Sequence, residues 1–280
     1  MRKACVIGWP IGHSRSPLIH GYWIAQYRLD ATYTKVGVPP DELATFLSTL
    51  KDRGFSGCNV TLPHKEAAYH LVDIADEHTR RLGAVNTVFM RDGKTLGTNT
   101  DGEGFINNLR HSLPGIELKE KMAVVLGAGG AAASICGALL ECNVSKIAVV
   151  NRSIDRANAL CQRFGTHLFP VPWTDRDTVL DGCGLVVNTT SLGMTGQPPL
   201  DIGLDRLPQS AIVTDIVYSP LRTPLLVQAA KRGHRVVEGL GMLLHQAVRG
   251  FELWFGTRPE VTNELYDIVA RDIDPDFGRS

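Results

Sequence analysis

Short β-branched runs alternate with helix-spaced apolar residues along most of the chain. Arg2 to Ile7 and Thr32 to Val38 read as strands. Leu43, Phe46, Leu47 and Leu50 then recur at the spacing of one helical face before the next apolar run, Cys58 to Leu62. Ala84 to Met90 and Thr95 to Asn99 flank Arg91-Asp92-Gly93-Lys94, where Asp-Gly supplies the positive backbone φ of a tight hairpin turn. This stretch predicts an α/β unit with an antiparallel edge. A second series follows Pro114-Gly115: Met122 to Leu126, Lys146 to Asn151, Gly184 to Thr189, Ala211 to Val217 and Arg235 to Val237 are apolar runs separated by helical or mixed segments. That is the pattern of a parallel sheet buried on both faces. Leu240 to Phe255 and Glu260 to Ile273 predict two closing helices, the first with Leu240, Leu244, Ala247, Val248, Phe251 and Phe255 on one stripe. They are expected to return to the N-terminal unit.

Length and charge narrow what such a chain can do. Its 280 residues suffice for two domains of ordinary size. The 29 basic residues balance 29 acidic ones, so the chain lacks the basic footprint that a phosphate backbone demands, and no nucleic-acid partner is expected. No apolar run approaches the roughly 20 residues of a membrane span, and Gly8 and Pro10 break the N-terminal run before it resembles a signal peptide. A cytoplasmic location without membrane contact is the expectation. Six cysteines lie scattered without a Cys-x-x-Cys pair, as reduced core thiols do. Nine histidines form no His-Glu-x-x-His and none pairs with cysteine at zinc spacing, so no metal is expected.

The strand Met122 to Leu126 runs straight into Gly127-Ala128-Gly129-Gly130-Ala131-Ala132 and then a helix of small and apolar residues. Gly127 permits the tight turn, Gly129 lets backbone approach a pyrophosphate, and Ala132 allows helix and strand to pack closely. The helix N-terminus offers free N–H groups and a positive dipole end to phosphates. An ordinary tight βα turn would look similar; its place between strand and helix favours dinucleotide binding. The next strand ends in Asn151-Arg152-Ser153, where an NAD enzyme would place a carboxylate on the ribose hydroxyls. That carboxylate is missing. Arg152 and Arg156 instead offer guanidinium groups suited to a 2′-phosphate, with Asp155 slightly blunting the field. NADP is the expected cofactor.

Polar residues cluster in three N-terminal segments: His13-Ser14-Arg15-Ser16-Pro17, Asn59-Val60-Thr61-Leu62-Pro63-His64-Lys65 and Asn99-Thr100-Asp101-Gly102. Singly, each has an ordinary reading; Ser16 before Pro17 suits a helix N-cap. Together with Gln246 and with Asn86 in Ala84-Val85-Asn86-Thr87, they form the neutral hydrogen-bonding inventory that a polyhydroxylated carboxylate requires. In order and spacing these segments, the Gly127 turn, Asn188-Thr189-Thr190-Ser191-Leu192-Gly193-Met194 and Gly239-Leu240-Gly241-Met242 resemble the shikimate dehydrogenase family, shikimate and quinate dehydrogenases, over almost the whole chain.

The resemblance implies an oxidoreductase that reversibly reduces 3-dehydroshikimate to shikimate with NADP, on the route to chorismate and the aromatic amino acids. It implies Ser14 and Ser16 on the substrate carboxylate, Thr61, Asn86 and Gln246 on ring hydroxyls with Asn59 beside them, and Lys65 and Asp101 as the catalytic pair. Oxidising a secondary alcohol sends hydride to the nicotinamide and a proton to the protein, and a lysine sharing its proton with a carboxylate can hold it. Gly127, Ala128, Gly129, Gly130, Ala131, Asn151, Arg152, Ser153, Arg156, Thr189, Ser191, Tyr218, Gly239 and Met242 are the expected cofactor residues. The implied fold is α/β, with a substrate-binding domain of residues 1–102 and 243–280 and a Rossmann-type doubly wound domain of residues 103–242. The expected assembly is a monomer or homodimer. Rival readings are an NAD-dependent quinate/shikimate dehydrogenase, against which Arg152 argues, and a non-catalytic metabolite-sensing relative, against which intact Lys65 and Asp101 argue.

Overall fold

A computed structural model of the chain describes residues 1–278. The fold is α/β and divides into two compact units. One is Met1–Asp101 with Gln246–Val269, and the other is Gly102–His245 with the residues from Ala270 onward. Boundaries at 102/103 and 242/243 were expected, with everything from residue 243 onward in one domain; the compact units divide after Asp101, after His245 and again after Val269.

The first unit is built from β1 (Arg2–Gly8), α1 (Ser16–Gln26), β2 (Ala31–Gly37), α2 (Leu43–Ser48), β3 (Gly57–Val60), α3 (Lys65–Leu71), β4 (Ile74–Ala75), α4 (Glu77–Leu82), β5 (Thr87–Arg91) and β6 (Lys94–Thr98). Its sheet has the order β2-β1-β3-β5-β6-β4. The hairpin forms as the Asp-Gly pair demands: Arg91 pairs with Lys94, and Asp92 and Gly93 take φ of 53° and 76°. The antiparallel strand is not an edge, however. β5 lies between β3 and β6, and the edge beyond β6 is the two-residue β4, which runs parallel to it. On one face Cys5, Ile7, Phe46, Leu50, Val60 and Val88 form a continuous apolar cluster.

The second unit follows α5 (Asp101–Ser112) with β7 (Met122–Leu126), α6 (Gly130–Glu141), β8 (Lys146–Asn151), α7 (Ile154–Phe164), β9 (Leu168–Pro172), β10 (Leu185–Asn188), β11 (Ile212–Asp215), α8 (Pro224–Lys231) and β12 (Arg235–Val237). All its strands are parallel, in the order β12-β11-β10-β7-β8-β9. This is the doubly wound dinucleotide-binding order, with its switch point between β7 and β10. Strand β9 is absent from the apolar pattern because Leu168-Phe169-Pro170-Val171-Pro172 carries two prolines, which a sheet tolerates only at its edge. Helix α9 (Leu240–Phe255) has the expected bounds, and Leu240, Leu244, Ala247, Phe251 and Phe255 of its stripe are buried. Helix α10 (Asn263–Ile273) starts later than expected, because Pro259 and Glu260 precede Thr262, whose hydroxyl accepts from Leu265 N at 3.2 Å as a cap.

Candidate active site

Lys65 opens α3 immediately after the turn that follows β3. His64 anchors that turn: it is buried, and its Nε2 lies 2.7 Å from the Val38 carbonyl oxygen. The Lys65 carbonyl accepts from Val85 N at 2.9 Å, so the backbone on either side of the residue is fixed. Asp101 opens α5, where its N–H donates to Asn99 Oδ1 at 3.1 Å while Asn99 Nδ2 donates to the Ala84 carbonyl at 2.9 Å. These two helix starts bring Lys65 Nζ to Asp101 Oδ2 at 2.5 Å. The lysine side chain is 18% exposed and the aspartate 7%, so the pair is shielded from bulk water yet still reachable.

Asn86 joins the pair to the rest of the polar set. Its Nδ2 donates to Asp101 Oδ1 at 2.8 Å and to Thr100 Oγ1 at 3.0 Å, with Gln246 Oε1 at 3.4 Å. Thr100 Oγ1 in turn donates to the Gln246 carbonyl at 2.8 Å, which ties α9 to this cluster. Asn59 is buried beside it: Tyr33 donates its hydroxyl to Asn59 Oδ1 at 2.5 Å, and Asn59 Nδ2 donates to Asn86 O and Thr87 Oγ1 at 3.3 Å each. Thr61 ends the β3 strand region half-buried, its N–H on the Ile7 carbonyl at 3.0 Å. Ser14 and Ser16 face one another, their hydroxyl oxygens 3.2 Å apart. Ser16 is not the N-cap that its sequence suggests; Arg15 takes that place and Ser16 is the first helical residue, which leaves its hydroxyl directed at Ser14. Of this set, Lys65, Asp101, Asn86 and Gln246 form one hydrogen-bonded cluster, Asn59 braces it through Asn86 and Thr87, and the two serines pair with each other.

The glycine turn of the second unit is shaped by its neighbours. Gly127 has φ of 111°, and a Cβ there would lie 2.6 Å from Thr189 Oγ1, which itself donates to the Leu126 carbonyl at 2.6 Å. Only glycine fits that place. Beside Gly129, which precedes α6, no atom lies within 4 Å of the position a Cβ would take. Gly127, Ala128, Gly129, Asn151, Arg152, Arg156, Thr189 and Ser191 line one cavity of about 210 Å³, with Trp173, Thr190 and Leu192. Gly130 and Ala131 form the first turn of α6, while Ser153 caps α7 by accepting from Arg156 N at 3.4 Å. Tyr218, Gly239 and Met242 are not among the residues lining that cavity; Tyr218 lies after β11, and Gly239 and Met242 lie at the start of α9. Trp173 escaped sequence reasoning because it follows β9, the strand its prolines conceal.

A glycine turn opening a helix at the switch point of a parallel sheet, in a chain that also builds a lysine–carboxylate site on a mixed sheet, defines a two-unit dinucleotide-binding oxidoreductase architecture. Three family models match in chain order: the shikimate dehydrogenase substrate binding domain over residues 6–88, shikimate / quinate 5-dehydrogenase over 109–194, and the shikimate 5'-dehydrogenase C-terminal domain over 239–262. The shikimate dehydrogenase (NADP(+)) of Rhodopseudomonas palustris strain BisB5 is 54% identical over 271 residues, 96% of this chain and 95% of that one. The shikimate 5-dehydrogenase of Thermus thermophilus, solved with NADP(H) and shikimate, superposes with a TM-score of 0.86 at 35% identity, covering 98% of this chain and 100% of that one. The quinate dehydrogenase of Corynebacterium glutamicum, solved with NAD, superposes with a TM-score of 0.88 at 30% identity, covering 96% and 98%. The chain belongs to the shikimate dehydrogenase family.

Proposed function

We infer that the chain is an NADP-dependent shikimate dehydrogenase, which reversibly reduces 3-dehydroshikimate to shikimate on the route to chorismate and the aromatic amino acids. The observation that carries this reading is the 2.5 Å contact of Lys65 Nζ with Asp101 Oδ2 inside a neutral polar set. The residues fit the cofactor: Gly127 makes the tight turn, Gly129 leaves backbone open to a pyrophosphate, and Arg152 and Arg156 line the same cavity, exposed to meet a 2′-phosphate. NADP supplies or accepts the hydride.

The chain's own residues then manage the proton. In reduction, the Lys65 ammonium gives a proton to the carbonyl oxygen as that oxygen gains charge, and the alcohol is formed. In oxidation the neutral amine takes it back. Asp101 holds the ammonium in place, and through Asn86 its own orientation is fixed. Ser14 and Ser16 suit the substrate carboxylate, for two hydroxyls side by side donate to two oxygens. Thr61, Asn86 and Gln246 suit the ring hydroxyls, with Asn59 behind them. We place the enzyme in the cytoplasm as a monomer or homodimer; the unpaired cysteines, all buried but the half-buried Cys142, agree with a reducing compartment, and no helix among the described residues is long and apolar enough to cross a membrane.

Initial rates with shikimate and quinate, each with NADP and NAD, test the assignment. The expected order puts shikimate with NADP first in kcat/KM, and a preference for quinate with NAD would replace it with the quinate reading. Lys65→Ala should keep substrate affinity within a few-fold and lower kcat by about 10²–10⁴. Near-normal turnover in that variant would remove Lys65 from the mechanism.

A further inference from the structure

Asp215, the last residue of β11, is wholly excluded from solvent, and nothing in the proton or hydride chemistry uses it. A buried carboxylate is costly to ionise unless its surroundings compensate. Its hydrogen-bond partners are neutral donors: Thr223 Oγ1 donates to Oδ2 at 2.7 Å, and Asn188 Nδ2 and Val217 N donate to Oδ1 at 3.0 Å each. Burial raises the carboxyl and these three hydrogen bonds pull it partway back, which leaves it at about 6.

Each donor fixes a different segment. Asn188 ends β10; its Oδ1 accepts from Thr190 N at 3.0 Å and Thr190 Oγ1 at 2.8 Å, and its Nδ2 also reaches the Leu192 carbonyl at 3.1 Å. The loop carrying Thr189 and Ser191 is therefore shaped by the side chain that Asp215 holds. Val217 is the residue before Tyr218. Thr223 caps α8, accepting from Leu226 N at 3.4 Å. A third loop leans on the same place: a Cβ on Gly239 would lie 2.6 Å from the Ile216 carbonyl carbon and from Val217 O.

We propose that Asp215 is a positioning residue for the dinucleotide, holding the loop after β11, next to Tyr218, in the shape that receives its nicotinamide half, and through Asn188 the loop after β10 that lines the Arg152 cavity. This rests on the reading that these loops bind NADP. Asparagine at this position preserves volume but has a single acceptor oxygen. Its Nδ2 either faces Thr223, whose hydroxyl must then turn round, or meets the two donors Asn188 Nδ2 and Val217 N.

Asp215→Asn separates positioning from a merely structural role. At neutral pH its melting temperature should equal or exceed that of the parent, since a buried charge is gone, while KM for NADP rises by about tenfold or more. KM for shikimate should stay within about twofold, and the dissociation constant for 2′,5′-ADP measured by calorimetry should rise clearly less than KM for NADP, because that fragment meets the loop after β10 but lacks the nicotinamide half. Thr223→Val, which removes one donor, should raise KM for NADP in the same direction and gives the answer if Asp215→Asn does not fold. An unchanged KM for NADP overturns the proposal. So does an equal loss of 2′,5′-ADP affinity, which marks general damage to the unit. A parent enzyme that does not use NADP refutes the underlying reading instead, and the parent control exposes that case directly.

Discussion

A lysine ammonium is useful as a proton donor only where its position is held, and Lys65 is held at both ends. Its carbonyl is bonded to Val85, its Nζ to Asp101, and Asp101 is oriented in turn by Asn86. Asp101→Asn keeps the shape but removes the charge that keeps the ammonium in place, so kcat should fall by about 10²–10⁴ in steady-state assays. Unaltered kcat would show that Lys65 needs no partner. On the cofactor side, Arg152→Ala combined with Arg156→Ala should raise KM for NADP by about tenfold to a hundredfold and leave that for NAD nearly unchanged; parallel loss for both cofactors would assign the arginines to something other than the 2′-phosphate. These residues stood out in the sequence through the family resemblance of their identity and order, and Lys65, Asp101 and Asn86 do meet in one hydrogen-bonded cluster. Tyr33 and Trp173 did not stand out, since an aromatic in a strand or loop reads as core until its neighbours are known.

At the scale of elements, the alternation of strand-like and helix-like runs was enough to find the ten longer or more apolar strands and misses only β4 and β9. Both misses have local causes: β4 is two residues long, and β9 is broken by prolines that an edge strand accepts. Pairing was harder to read. That β5 sits inside the sheet follows from long-range contacts, which a hairpin turn alone does not reveal. One of those contacts sets a strict requirement. A Cβ on Gly57 would fall far inside contact distance of Trp254 Nε1 and Val88 O, and the Trp254 Nε1 that occupies the space donates to that same carbonyl at 2.9 Å. Gly57→Ala should therefore destabilise the protein by about 3 kcal/mol or more in urea unfolding. Gly21, exposed in α1 with nothing near its missing side chain, is the control; Gly21→Ala should be neutral or stabilising by up to ~1 kcal/mol. Equal effects at the two sites would mean that helix or strand propensity, and not the close approach of Trp254, sets the requirement.

Across the whole molecule, the two units differ in how acid should affect them. His20, in the first unit, is fully buried, stacked on Tyr33 with ring centroids 4.0 Å apart and surrounded by Trp23, Phe251 and Trp254. Burial, offset only in part by the nearby Asn59 amide, lowers its pKa to about 3, and neither ring nitrogen closes a hydrogen bond of good geometry among the described residues. The unfolded chain thus binds a proton that the native state refuses, so the stability His20 allows is full above about 6.5 and is lost as pH falls toward 3. In the second unit His245 acts with the same sign, lowered to about 4 by burial and by His111. Asp215 acts with the opposite sign: its native value of about 6 lies above the unfolded 3.8, so its contribution is full at low pH and lost as pH rises through 6. Between about pH 7 and about pH 5, His20 should cost the first unit about 2 kcal/mol, while in the second unit His245 costs nearly as much and Asp215 offsets about 1 kcal/mol of it. Hydrogen exchange at the two pH values should therefore show protection falling further in β1 and β3 than in β7 and β10. His20→Leu, similar in volume and without a titrating group, should flatten that fall in the first unit alone. A first unit that loses protection equally with and without His20 would place the acid sensitivity elsewhere.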